Sequence, residues 1–164
     1  MKTIYVVRHA KSSWEDPTLS DHDRPLNKTG IRKTKIIVEY LKRNKVKPDY
    51  FKSSSALRAL STAEIIAKAL DYPVEEIGVE ENLYHASSET VFSELYVLPN
   101  SINSVMIFGH NPTFTYFVNG FVNPEMDNLP TSGVVSISFE TDEWEKIAMV
   151  DYKVNFVVTP KVLK

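Results

Sequence analysis

Ile4, Tyr5, Val6 and Val7 open the hydrophobic pattern of the chain with no polar alternation. Such a run suits a strand covered on both faces better than one half-exposed at a sheet edge. Residues 15–25 are polar and hold two prolines, which predicts a long surface loop of the kind that often carries function. Asn27 then offers a helix N-cap, and Ile36, Ile37, Tyr40 and Leu41 recur at helical spacing until Asn44 and Pro48 stop the pattern. A second strand is predicted over residues 49–54. It leads into a helix over 56–70, where Leu60, Ala63, Ala67 and Leu70 keep the period. A third strand is expected over 73–79, a loop over 80–85, and a helix over 88–98 capped by Ser88. The compact apolar run 105–108 predicts another buried strand, followed by a helix over 113–121. Residues 133–139 and 145–154 read as two final strands around a turn at 140–143. Alternating strands and helices predict a three-layer α/β/α sandwich. Its central sheet is mostly parallel, with an antiparallel hairpin near the C-terminus.

At 164 residues and 43% hydrophobic content the chain can bury one real core and needs no second. Residues 1–164 therefore read as a single domain, without internal repeat or linker. Cysteine is absent, which removes disulfides, thiolate metal sites and a thiol nucleophile. With no apolar leader and no run near the ~20 residues of a membrane span, the expected location is cytoplasmic and no membrane partner is expected. A formal charge of −2 gives no overall attraction for nucleic acid, so any anion binding must be local. Lys28, Arg32, Lys33, Lys35, Lys42, Arg43, Lys45 and Lys47 crowd the first helix and its end. They read as its solvated side rather than as a docking face.

The local chemistry sits where strands end. Arg8 and His9 follow the first strand, Arg58 falls in the first turn of the helix after the second, and His110 follows the apolar run 105–108. In open α/β sheets the ligand crevice lies outside the carboxyl ends of the strands. Guanidinium and imidazole groups converging there suit a phosphoryl group. A cation in a helix's first turn opposes the macrodipole; either an anionic ligand or a carboxylate such as Glu64 would relieve that conflict at Arg58. No Gly-rich phosphate loop occurs, and His9, His22, His85 and His110 show no metal-ligand spacing. No metal and no cofactor are expected. The best remaining nucleophile is then an imidazole attacking phosphorus.

Four motifs in order support that reading: Arg8-His9-Ala10, Leu26 through Gly30, Arg58-Ala59-Leu60-Ser61-Thr62, and Gly109-His110. With these the chain resembles the histidine phosphatase superfamily, which includes cofactor-dependent phosphoglycerate mutases and the small SixA-type phosphohistidine phosphatases. The resemblance implies that His9 is the phosphorylated nucleophile and that Arg8, Arg58 and His110 hold the phosphoryl oxygens. It also implies substrate contacts from Ser12 and Asn111. Mutase-like members carry an Asn where this chain has Glu15, and a general-acid Glu in the loop after the third strand, where Glu81 aligns beside Glu80, Tyr84 and His85. The short chain and the sequence His110-Asn111-Pro112 look more like the SixA branch. The expected activity is a metal-independent phosphatase working through a phosphohistidine intermediate. Its expected partner is a phosphorylated substrate, including a phosphohistidine-bearing protein. A small-molecule phosphomonoesterase or mutase is the first alternative, and a non-catalytic phosphate-recognition module the second.

Overall fold

In the computed structural model, which describes residues 1–163, the first apolar run lies near the middle of a six-stranded sheet. It forms β1 (Lys2–Arg8), followed by α1 (Lys28–Arg43), β2 (Tyr50–Ser54), α2 (Leu57–Ala69) and β3 (Gly78–Glu80). The second half adds α3 (Ser88–Tyr96), β4 (Ser104–Gly109), α4 (Thr113–Asn119), β5 (Val134–Phe139) and β6 (Tyr152–Val158). The strand order is β3-β2-β4-β1-β5-β6. The first four run parallel, β5 is antiparallel to β1, and β6 is antiparallel to β5.

Side-chain alternation divides the core between the two faces. Val7, Phe51 and Phe108 join Ile37, Leu41, Ala63 and Ile66 of α1 and α2 in one buried cluster. Ile4, Val6, Ile107 and Val135 join Val91, Leu95 and Phe117 of α3 and α4 in the other. Because both faces are covered, the central strands carry near-continuous apolar sequence. Helices on both sides of one sheet make the expected three-layer sandwich. No helix among the described residues is long and apolar enough to cross a membrane.

Element boundaries differ from expectation in three places. The predicted strand over 73–79 is reduced to Gly78–Glu80, because Val74–Glu76 winds as a 3-10 turn behind Pro73. The third helix is capped by Ser87 rather than Ser88. Ser87 Oγ accepts from the Thr90 N–H at 3.2 Å while Thr90 Oγ1 accepts from the Ser87 N–H, a reciprocal capping box. The last strand begins at Tyr152, well after the expected 145, because Trp144–Met149 winds as 3-10 structure. Trp144 is fully buried there, its Nε1–H donating to the Ile102 carbonyl at 2.8 Å, so the apolar residues around it serve the core from a turn.

The parallel neighbours β2, β4 and β1 end together. Arg8 stands opposite Gly109 in register, and the His9 N–H donates to the Gly109 carbonyl at 3.1 Å. Residues leaving these three strands therefore share one edge of the sheet.

Candidate active site

Arg8 and His9 at the end of β1, Arg58 at the start of α2 and His110 after β4 line one crevice of about 440 Å³. The turn that carries His9 is clamped from several sides. Ser132, in the left-handed region at φ 61, sends its N–H to the carbonyls of Arg8 (3.1 Å) and His9 (3.3 Å). The Ala10 N–H donates to Thr62 Oγ1 at 2.9 Å, and that hydroxyl donates to the Arg58 carbonyl at 2.7 Å. Helix α1 comes so close that a Cβ on Gly30 would lie 2.2 Å from the Lys11 carbonyl oxygen. Two motif residues, Gly30 and Thr62, thus fix the His9 turn against α1 and α2.

His9 is 8% exposed, and its Nδ1 lies 2.7 Å from the Ala10 carbonyl oxygen. A carbonyl only accepts, so Nδ1 carries the hydrogen and the neutral ring keeps its lone pair on Nε2. Burial pushes the ring's pKa down to about 4, with further lowering from the Arg58, Arg8 and Arg24 charges. At neutral pH His9 is an uncharged base with a fixed tautomer. The His110 ring centroid lies 5.2 Å from that of His9. Burial, then the neighbouring His9 and Arg58, lower His110 to about 3. Its Nε2 is 2.8 Å from Ser54 Oγ, and that oxygen also accepts from the Ala56 N–H, so the hydroxyl hydrogen can serve His110. In that tautomer His110 Nδ1 bears a hydrogen.

The crevice has donors without acceptors. Among the described residues, Arg8 Nε, Arg58 Nε and His110 Nδ1 are buried and have no hydrogen-bond partner. Unpartnered buried donors are costly in a native protein, and three lining one crevice fit an anion with several oxygens. Three of the other guanidinium nitrogens are committed. Arg8 Nη1 donates to the Leu129 carbonyl at 3.0 Å. Arg58 donates from Nη1 to the Asp21 carbonyl (2.7 Å) and from Nη2 to Asp21 Oδ2 (3.0 Å). The first-turn cation of α2 is therefore balanced by Asp21, while Glu64 lines a different depression.

Asp21 and Arg24 are the site's unforeseen members, joined by Tyr84 from the loop that carries Glu81. Arg24 is 7% exposed; it donates to Ser12 Oγ at 2.7 Å and to Asp21 Oδ1 at 3.2 Å, and it stacks 3.5 Å from the exposed Trp14 ring. Tyr84 donates its hydroxyl hydrogen to Asp21 Oδ2. That bond, followed by those from Arg58 and Arg24, holds the Asp21 carboxyl at about 2. These residues come from the loop before α1 and the turn after β3. For Asp21 and Arg24 the only sequence signal was the length of the first loop.

The other expected contacts are distributed unevenly. Ser12 lines the crevice, with its hydroxyl oxygen accepting from Arg24. Asn111 also lines it, but its side-chain amide is tied into the fold. It donates to Asn128 Oδ1 and the Leu129 carbonyl, and accepts from the Thr115 N–H and hydroxyl. Glu81 lies in an exposed 3-10 turn and lines a neighbouring depression with Glu89 and Glu94, away from the crevice's lining. Among the described residues no three His, Asp or Glu side chains cluster to hold a metal ion.

Comparison with known proteins adds to this geometry. Residues 4–83 match the model of the histidine phosphatase superfamily (branch 1). An uncharacterized protein of Mycobacterium tuberculosis is 34% identical over 107 residues, covering 65% of this chain and 64% of that protein's own length. The phosphohistidine phosphatase SixA of Escherichia coli is 25% identical over 139 residues, covering 84% and 85% of the two chains. A structure of the protein histidine phosphatase SixA complexed with tungstate superposes with a TM-score of 0.82 at 25% identity, over 99% of each chain.

Proposed function

This chain belongs to the histidine phosphatase superfamily, and on that premise we propose that it is a metal-independent phosphatase acting through a phosphohistidine intermediate on His9. The observation that carries the reading is the pairing of a neutral His9, its Nε2 lone pair free, with the unpartnered N–H groups of Arg8, Arg58 and His110 around one crevice. In the first half-reaction Nε2 forms a bond to phosphorus as the bond to the leaving group breaks, with its electron pair going to the leaving atom. The two guanidiniums hold the phosphoryl oxygens in place. In the second half-reaction water attacks the phosphohistidine and His9 returns to its neutral form.

The substrate we propose is phosphohistidine in a protein, or another phosphoramidate. An alkyl phosphate must expel an alkoxide, whose conjugate acid resembles water with a pKa near 15.7, and so calls for a placed general acid. The crevice is short of one. Asp21 is held as a carboxylate and Glu81 lines the neighbouring depression. Phosphohistidine differs, because the ring nitrogen away from phosphorus, in a heterocycle with a reference pKa near 6.5, can take a proton from solvent before the bond breaks, so that neutral imidazole leaves. The expected result is a kcat/KM for phosphoramidates larger by orders of magnitude than for alkyl phosphates. A phosphate-release assay over phosphohistidine, phosphoramidate and several alkyl esters tests this. Faster ester hydrolysis, with a large loss in Glu81→Gln, would transfer the assignment to a small-molecule phosphomonoesterase with Glu81 as its acid.

A further inference from the structure

The crevice holds more positive charge than one phosphoryl group requires. Arg8, Arg58 and His110 supply the unpartnered donors for that group, yet Lys11 and Lys33 line the same crevice, with Trp14 beside them. No carboxylate lines it. The other cations packed near the site or the sheet are matched: Asp21 serves Arg24 and Arg58, and Glu94 serves Lys52. Among the described residues, neither Lys11 nor Lys33 forms an ion pair. We propose that Lys11, Lys33 and Trp14 form a docking surface for the protein that carries the phosphohistidine, and that this surface reads an acidic segment beside the phosphorylated residue. The proposal rests on the phosphatase reading above and adds to it the surface and the charge of the partner.

The three residues are set in place by the fold. Of the basic residues that crowd α1 and its end, Lys33 alone is half-buried, and it turns to the crevice while the others are exposed. Its neighbour Thr34 is buried, with Oγ1 2.9 Å from the hydroxyl of Ser132, the residue that clamps the His9 turn. One member of the basic helix therefore belongs to the site and not to the solvated side. Lys11 follows that turn directly, and its carbonyl accepts from the Asn27 N–H at 3.0 Å. Ser12 bridges Leu26 in antiparallel fashion, and the Ser13 N–H donates to the Pro25 carbonyl at 2.8 Å. This short backbone ladder leads to Trp14, whose ring lies 3.5 Å from the buried Arg24 guanidinium.

The occupant follows from shape and charge. Trp14 is 76% exposed, with one ring face on Arg24. A ligand enclosed in the crevice leaves most of that ring in water, whereas a chain that continues over the mouth covers it. Tryptophan backed by arginine is the kind of anchor that dominates protein interfaces. The unmatched lysines select the sign of the partner: acidic side chains pair with them and basic ones are repelled. Because the chain as a whole carries −2, this attraction acts only at the mouth and is screened by salt.

The test uses three synthetic peptides, each phosphorylated on one histidine and flanked by Glu, Gln or Lys, with phosphoramidate as a donor that lacks flanks. In the wild-type protein kcat/KM should fall in the order Glu, Gln, Lys. The Glu peptide should exceed the Gln peptide by about five- to tenfold at low salt and by less than about twofold at high salt. In Lys11→Gln/Lys33→Gln that ratio should collapse to within about twofold even at low salt. Trp14→Ala should raise KM about three- to tenfold for all three peptides, and by more than for phosphoramidate. Binding is read without turnover in His9→Ala. Trp144 is fully buried, so a shift in tryptophan emission on adding the Glu peptide reports Trp14, the other tryptophan of the chain, and Trp14→Phe should abolish it. Equal turnover of the three peptides, a ratio that survives the double lysine variant, or a Trp14→Ala loss shared equally by phosphoramidate would overturn the docking surface and leave the phosphatase standing. Equal peptides combined with stronger inhibition by 3-phosphonopropionate than by propylphosphonate would give the lysines to a small doubly anionic substrate instead. Peptide binding at Trp14 without turnover of any donor would overturn the phosphatase reading alone.

Discussion

For His9, burial and the hydrogen bond from Nδ1–H to the Ala10 carbonyl prescribe one state, neutral with Nε2 free. The pH dependence follows. His9 and His110 are held near 4 and 3, below the usual 6.5, so between those values the unfolded chain binds protons that the folded chain refuses. Their contribution to stability is complete above about 6.5 and is lost as pH falls toward 4. Urea midpoints measured from pH 7 to 4.5 should therefore decline, and His9→Gln should decline less. The free protein's kcat/KM should stay level from pH 7 to about 5, since that ratio reports the unliganded ionisations. An acid limb centred near 6.5 would mean that His9 is not desolvated in solution. Asp21 gives the opposite kind of prediction. Its carboxylate occupies one side of Arg58 and Arg24, where a phosphate would also be drawn. Asp21→Asn should strengthen inhibition by inorganic phosphate by roughly 0.5–1 kcal/mol, a few-fold in Ki. A weaker inhibition constant would show that the carboxylate orders the site rather than competing for it.

At the scale of elements, the site depends on how α1 and α2 grip the turn after β1. Gly30→Ala would drive a methyl into the Lys11 backbone, where no flexible side chain can yield. The expected cost is about 1–3 kcal/mol of stability, read as a lower denaturation midpoint, together with reduced turnover. Arg8, His9, Arg58 and His110 could be found in the sequence because each lies at a strand end or a helix start, where local pattern fixes position, and Gly30 and Thr62 because they fall in the motifs that carry the family resemblance. Asp21 and Arg24 could not. Arg24 is buried only because Trp14 stacks over it and Ser12 and Asp21 accept its hydrogen bonds, all of them contacts made by a loop without periodicity. The same limit explains the boundary shifts. The 3-10 winding of Trp144–Met149 follows from hydrogen bonds made by Trp144 to Asn100 and Ile102, more than forty residues away, which a window of neighbouring residues cannot contain.

The whole molecule brings one cationic, donor-rich crevice to the carboxyl edge of its central sheet. Its positive charge is local, set within a chain of formal charge −2, so tetrahedral oxyanions should bind there by contact rather than by overall attraction. Tungstate and inorganic phosphate are expected to inhibit competitively, and activity is expected to survive chelators. Chelator-sensitive turnover would require chemistry that this crevice does not explain. The central claim is that His9 itself takes the phosphoryl group, and rapid quenching tests it most directly. The protein is mixed briefly with labelled phosphoramidate, quenched in base, digested and mapped. The label should appear on His9, stable to alkali and lost in acid, and should be absent from His9→Ala. Label recovered on any other residue, or turnover without a labelled enzyme under quench conditions that preserve phosphohistidine, would contradict it.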